Sequence, residues 1–141
     1  KIKKNVKKLL LKEKKNKLNK IESCLKFKKQ CEESKKKFQI KIKNLKDSGK
    51  TICGYAASAK STTALNYCDI DYKYIDFVVD STREKIGKYT PGTHIPIKSP
   101  KFFRKNYPDI AILNSWNHRE EILKKEHRFK KKGGKWISHV K

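Results

Sequence analysis

The chain has 141 residues, 38 of them basic and 14 acidic, for a formal net charge of +24. That length suits one ordinary domain, and no apolar run is long enough to span a membrane. The charge invites a nucleic-acid partner. However, only Arg83, Arg104, Arg119 and Arg128 carry the guanidinium fork that reads phosphates and base edges in two-point fashion. Non-specific, salt-sensitive binding to polyanions is therefore the expected consequence.

The charge is also uneven. Residues 1–50 hold 20 lysines and 5 acidic residues. The sequence contains no Met, so Lys1 is not a natural start and the chain is expected to be a piece of a longer protein. No signal peptide is expected, because no apolar core follows the first lysines. Cys24, Cys31, Cys53 and Cys68 form no CxxC pair and have no His at zinc-finger spacing. They predict reduced thiols, a cytoplasmic location and no metal site.

Residues 1–46 read as helix in two pieces. Ile2, Val6, Leu9 and Leu10, then Leu18, Ile21 and Leu25, then Phe38, Ile42 and Leu45 recur at helical spacing on a lysine-rich background. This segment, 1–49, predicts an exposed helical connector; a free basic amphipathic helix is the sharper alternative. "DSGK" (47–50) is a turn. "TICGYA" (51–56) predicts a first strand. "SAKSTTALNYC" (58–68) predicts a helix capped by Ser58 or Ser61. "YIDFVVD" (74–80) predicts the second strand, and 81–93 a loop with Gly87, Pro91 and Gly92.

"HIPI" (94–97) predicts a short third strand that Pro96 confines to an edge. "SPKFFRKNY" (99–107) opens with Ser then Pro, a helix start. "DIAILNSW" (109–116) is the next strand. One helix is expected over 117–131, capped by Asn117, with Ile122 and Leu123 facing inward. "GG" ends it, and "KWISHV" (135–140) is the last strand. Strands alternating with helices predict an α/β domain over 50–141, a mostly parallel sheet flanked by helices. Its ligands belong beyond the carboxyl ends of the strands.

Several patterns mislead. "SGKT" (48–51) lacks the first glycine of a phosphate-binding loop and precedes a strand where that loop follows one. His94, His118, His127 and His139 form no metal or nucleophile pattern, and Glu120–Glu121 read as a solvated pair on a basic helix. No residue is assigned a catalytic role.

Three stretches taken together resemble a known family: "GYAASAKSTTALNYCDI" (54–70), "IDFVVDSTREKIGKYTPGTHIPI" (75–97) and "PDIAILNSWNHREEIL" (108–123). In order and spacing they are similar to the Rossmann-like C-terminal domain of the sugar C-methyltransferases. Gly54, Tyr55, Ala57, Ala59, Lys60, Thr63, Leu65 and Asn66 match the first pattern. Lys85, Gly87, Tyr89, Pro91, Gly92, Thr93, His94, Ile95, Pro96 and Ile97 carry the second, and Trp116 and Asn117 the corner after the fourth strand. Ala56 and Ser61 stand where the family usually has Gly, and Ser115 where Pro is common.

The resemblance implies an enzyme that uses S-adenosylmethionine to methylate a carbon of a nucleotide-linked deoxysugar. It also implies that this chain is the C-terminal part, with cofactor and catalytic base on a missing methyltransferase domain. No cofactor is expected on this chain. A nucleotide-linked sugar, dTDP- or similar, is the expected ligand. Lys60, Ser61 and Thr63 would cradle its diphosphate at a helix N-terminus. Asp80 would accept from the ribose, and Tyr55 or Tyr89 would stack on the base. Gly92, Thr93 and His94 would join Asn66, Trp116 and Asn117 around it, with His94 and Asn117 near one edge.

Plain structural roles stay open for the same residues. Lys60 is one of many solvated lysines, Asp80 suits a turn, Tyr55 and Trp116 suit packing, and Thr93 with His94 suits a locked loop. Two other functions also stay open: a basic nucleic-acid-binding protein, and an interaction domain with a non-functional pocket.

Overall fold

The computed structural model describes residues 3–138. Two compact units divide at Lys35 and Lys36. The first holds α1 (Lys4–Lys15) and the beginning of α2 (Ile21–Asp47). No residue of α1 is buried, and Leu9, Leu10, Leu11, Leu25 and Phe27 are all more than half exposed.

The second unit begins within α2 and continues with β1 (Ile52–Tyr55), α3 (Ala59–Tyr67), β2 (Phe77–Val79), β3 (Ile97–Lys98), α4 (Pro100–Lys105) and β4 (Ile110–Leu113). A 3-10 turn (Trp116–His118), α5 (Arg119–Lys125), α6 (His127–Lys131) and β5 (Lys135–Ile137) follow. The five strands form one sheet in the order β3-β2-β1-β4-β5, and every pairing is parallel.

Because side chains alternate along a strand, one sequence supplies two faces. Ile52, Val78, Ile110 and Ile112 pack with Phe38 and Ile42 of α2 and Leu65 of α3. Cys53, Tyr55, Phe77, Val79, Ala111 and Leu113 pack with Phe103 of α4, Ile122 of α5 and Phe129 of α6. With both faces covered, β1, β2 and β4 are buried at every position, which is why they read as unbroken apolar runs.

Local chemistry sets most element ends. Ser58 caps α3 by accepting from the Ser61 N–H at 3.2 Å. Ser99 does the same for α4 from Phe102, with Pro100 in the first turn. "SGK" closes α2, where the Gly49 and Lys50 N–H groups return to the Lys46 and Leu45 carbonyls.

Other ends depart from the sequence expectation. Strand β2 is shorter than 74–80, because Tyr74 and Ile75 turn back onto the Asp71 carbonyl and Asp76 accepts from the Ile52 N–H at 2.8 Å. Strand β3 is Ile97–Lys98 rather than 94–97, since Pro96 has no N–H to pair. Its carbonyl still accepts from Val78, and the strand is an edge as expected.

The helix expected over 117–131 is three pieces. Asn117 lies inside the 3-10 turn, not at a cap, and the helix breaks at Glu126. Ile122 packs in the core as expected, while Leu123 is only half-buried and joins neither core cluster. The last strand ends at Ile137; His139 and Val140 lie outside the described residues.

Candidate ligand site at the carboxyl edge of the sheet

The strand order reverses direction between β1 and β4, whose carboxyl ends lie side by side. In an open α/β sheet this switch point is where a crevice forms. The β1–α3 turn borders it. Ala56 has φ +76°, a conformation that glycine adopts freely and that costs an L-residue about 1–2 kcal/mol. The turn is held despite that strain. The Ala56 N–H donates to the Val79 carbonyl at 2.8 Å, and the Asn114 carboxamide donates to the Ala56 carbonyl at 3.4 Å. Asn114 is 1% exposed and lies so near Gly54 that a Cβ there would come within 2.9 Å of its Nδ2.

Asp80 completes this frame. Its carboxylate accepts from the Ala57 N–H (2.9 Å), the Thr82 N–H (2.8 Å) and the Lys85 ammonium (3.2 Å), while Lys85 also donates to the Ala57 carbonyl. Burial opposes the charged form, but the bonds from Thr82 and Lys85 outweigh it and hold the Asp80 pKa below the ordinary carboxylate value. The acid expected to meet a ribose is thus the tie between the β1–α3 turn and the end of β2.

Lys60, in the first turn of α3, reaches across the switch point. Its Nζ donates to the Asn117 Oδ1 at 3.2 Å and stands 4.9 Å from the centre of the Trp116 ring. Lys60, Trp116 and Asn117 are therefore brought together from two elements, and all three are exposed. The hydroxyls beside them point elsewhere. Ser61 donates to the Ser58 carbonyl and Thr63 to the Ala59 carbonyl, so both turn back into α3 instead of out toward a ligand.

The other predicted residues lie apart from this edge. Asn66, at the far end of α3, donates to the Thr62 and Pro91 carbonyls. Gly92 has φ +77°, and a Cβ there would run into the Asn66 carboxamide. Thr93 is buried, shares a 2.6 Å hydrogen bond with Thr90, and its carbonyl accepts from Tyr72 in the segment before β2. His94 has φ +51°, and its N–H donates to the Thr90 carbonyl. The "TPGTHI" loop therefore sits at the amino-terminal edge of the sheet. This corrects the expectation that His94 and Asn117 share an edge: a parallel strand entered from that loop must begin at the opposite end. Tyr89 is 63% exposed and bridges Pro96.

Tyr55 is core. Its ring meets Phe103 and Trp136 edge-on, and its hydroxyl donates to Glu126 at 2.8 Å. Burial, then that hydrogen bond, raises its pKa well above the ordinary phenol value. Glu126 is 1% exposed and also takes two bonds from Arg104, at 3.0 and 2.7 Å. This carboxylate, unpredicted from the sequence, ties β1, α4 and the α5–α6 junction together. Its only sequence signal is an acid between the inward-facing Ile122 and Phe129.

Behind the β1–α3 turn lies a cleft of ≈ 250 Å³, bounded by Tyr55 and Ala56 after β1, Val79, Asp80 and Ser81 after β2, Pro100, and Ser115, His118, Glu121, Ile122 and Lys125 after β4. Among the described residues no group of His, Cys, Asp or Glu is arranged to hold a metal ion, and no helix is long and apolar enough to cross a membrane.

An all-parallel sheet of this order, helices on both faces and a polar crevice at the switch point define a Rossmann-like domain. Residues 1–140 match the C-methyltransferase C-terminal domain family, and the chain belongs to it. Over 96 residues it is 36% identical to the C-methyltransferase NovU of Streptomyces niveus, a match covering 68% of this chain and 23% of that protein.

Proposed function

We propose that this domain holds the nucleotide end of a nucleotide-linked sugar for a C-methyltransferase and joins it to the domain that carries out the transfer. The observation that carries this reading is the Lys60–Trp116–Asn117 cluster at the N-terminal turn of α3. An ammonium at a helix N-terminus attracts a diphosphate through both its own charge and the positive end of the dipole. Trp116 offers an aromatic face for a base, and the Asn117 carboxamide can pair with base or phosphate once Lys60 turns to the ligand. Binding here would be positioning, which lowers the entropy cost of the reaction that follows.

S-adenosylmethionine, the methyl donor such an enzyme implies, does not fit this edge. Asp80, the acid at the end of β2 that would receive the cofactor's ribose, is engaged by three donors from its own chain. We place the cofactor and the proton abstraction beside the sugar's keto group on the methyltransferase domain. This chain alone is expected to transfer no methyl group from labelled S-adenosylmethionine.

The test is a titration of the labelled chain with dTDP, followed by NMR, with a DNA oligomer as polyanion control. Shifts confined to the α3 N-terminus and Trp116–Asn117, and a loss of about tenfold or more in affinity for Lys60→Ala, are expected from a charge-assisted contact worth roughly 1.5–3 kcal/mol. The net charge of +24 favours a second reading, nucleic-acid binding. DNA binding that survives rising salt, with no dTDP shifts, would replace the first reading with that one.

A further inference from the structure

The first compact unit exposes a row of apolar side chains. In α1 no residue is buried, and Val6, Leu9 and Leu10 are all exposed. Ile21 and Leu25, four apart at the start of α2, are exposed as well. Single exposed leucines are ordinary, but a row of them along one helix face marks a contact surface. The crevice at the carboxyl edge of the sheet uses none of these residues, so this surface is independent of the nucleotide-sugar reading.

We propose that α1 lies flat on an anionic lipid surface, with its apolar face at the acyl boundary and its lysines among the headgroups. The turn of 3.6 residues places Val6, Leu9 and Leu10 within an arc of about 100°. Lys4, Lys8, Lys12 and Lys15 share an arc of about 80° on the opposite side. Lys7 and Lys14 flank the apolar face beside Leu10. From there a lysine can bury its methylenes and keep its ammonium in the headgroup layer. Leu11 falls between the lysines, outside this face.

The helix also needs a surface. It has 12 residues, a length at which a lone helix is marginal in water. Its start has no side-chain cap and no acid in the first turn, so its amino end gains no local support. Lysines in the last turn favour its carboxyl end only. Burial of the apolar face is the main source of stability left to it.

Charge selects which surface. Residues 1–35 hold 14 lysines, 4 acidic residues and no arginine. A second copy of the helix would set lysines against lysines, which opposes the contact its leucines would make. A nucleic acid would pair with the lysines, but its phosphate backbone offers nothing apolar to Val6, Leu9 and Leu10. An anionic membrane surface meets both needs. Its potential strengthens binding by about fivefold for each nearby lysine, and its acyl boundary takes the apolar face. The helix is too short to cross a bilayer, so the contact lies in the plane of the surface.

The experiment measures co-sedimentation of the intact chain with vesicles of phosphatidylcholine, and of phosphatidylcholine mixed equally with phosphatidylglycerol. Wild type is compared with Leu9→Ser/Leu10→Ser and Lys7→Ala/Lys14→Ala, with a DNA duplex as polyanion control. Both variants leave the sheet intact, because α1 has no buried residue, and NMR of residues 36–138 checks that. Wild type is expected to bind the anionic vesicles about tenfold or more tighter than the neutral ones. L9S/L10S is expected to lower that binding by about tenfold or more while DNA binding is unchanged. K7A/K14A is expected to lower it by a similar factor, and the loss should shrink as salt rises. Equal binding of wild type and L9S/L10S to anionic vesicles means that charge alone holds the chain, and overturns the proposal. Absence of vesicle binding overturns it too, and a dimer that L9S/L10S breaks would then name a second copy as the cover. Tighter binding to the duplex than to anionic vesicles at the same salt assigns the helix to nucleic acid and also overturns it.

Discussion

At the amino-terminal edge of the sheet, the polar groups are spent on one another. Thr90 bonds Thr93, Asn66 holds the Pro91 carbonyl, Asp76 accepts from Ile52 and Lys46, and Asp109 accepts from Thr51 and Lys50. At the carboxyl edge, a similar set of side chains surrounds a crevice, and Lys60, Trp116, Ser81 and Glu121 stay exposed beside it. Both edges carry stretches of the family pattern, "TPGTHIPI" on one and "GYAASAK" on the other. A shared pattern is therefore no sign of a shared site: one stretch closes an end of the sheet, the other borders an open crevice.

The largest effect should come from beneath the open edge. Glu126→Ala would strand the buried Tyr55 hydroxyl and leave Arg104 without its partner. Because Arg104 is 46% exposed and can turn to water, the loss should be about 2–3 kcal/mol, at the low end for a broken buried pair. Chemical denaturation would measure it, and a loss under ~1 kcal/mol would mean the network does not set the α5–α6 junction.

Gly92→Ala tests the closed edge. The residue would need φ near +77° and would push on Asn66, which predicts a loss of ~2 kcal/mol. Affinity for dTDP should not change in the folded variant. A fall in affinity beyond the stability effect would bring the "TPGTHI" loop back into the site.

Acid should unfasten the closed edge at a defined pH. The Thr51 backbone and hydroxyl, then Lys50, hold the Asp109 pKa at about 2 against an ordinary value of 3.8. A depressed folded pKa means this stabilisation is fully present above that ordinary value and lost as pH falls through about 2. Asp109→Asn should therefore be less stable than wild type at neutral pH. The gap should narrow as pH drops between those two values, as read from denaturation midpoints.

The smallest effect belongs to the turn of the open edge. Ala56→Gly relieves the left-handed strain at φ +76° but loosens the unfolded chain, which leaves a net gain of ~0.5 kcal/mol. A loss of stability instead would mean that the alanine methyl is packed well enough to outweigh its backbone conformation.

Local chemistry made much of the molecule legible from residues alone. Ser58 and Ser99–Pro100 mark helix starts because a hydroxyl beside free N–H groups needs no distant partner. The buried runs 52–55, 77–79 and 110–113 mark parallel strands because both faces must be apolar. Lys60, Trp116 and Asn117 were legible as site candidates because they carry the family resemblance in the stretches that follow β1 and β4. Tertiary structure alone decided the rest. The order β3-β2-β1-β4-β5 sends "TPGTHI" to the amino edge and His94 away from Asn117. It also brings Asp80, Asn114 and Glu126 to partners 23, 58 and 71 residues away in sequence. Such partners are chosen by strand order and packing, which no window of neighbouring residues contains.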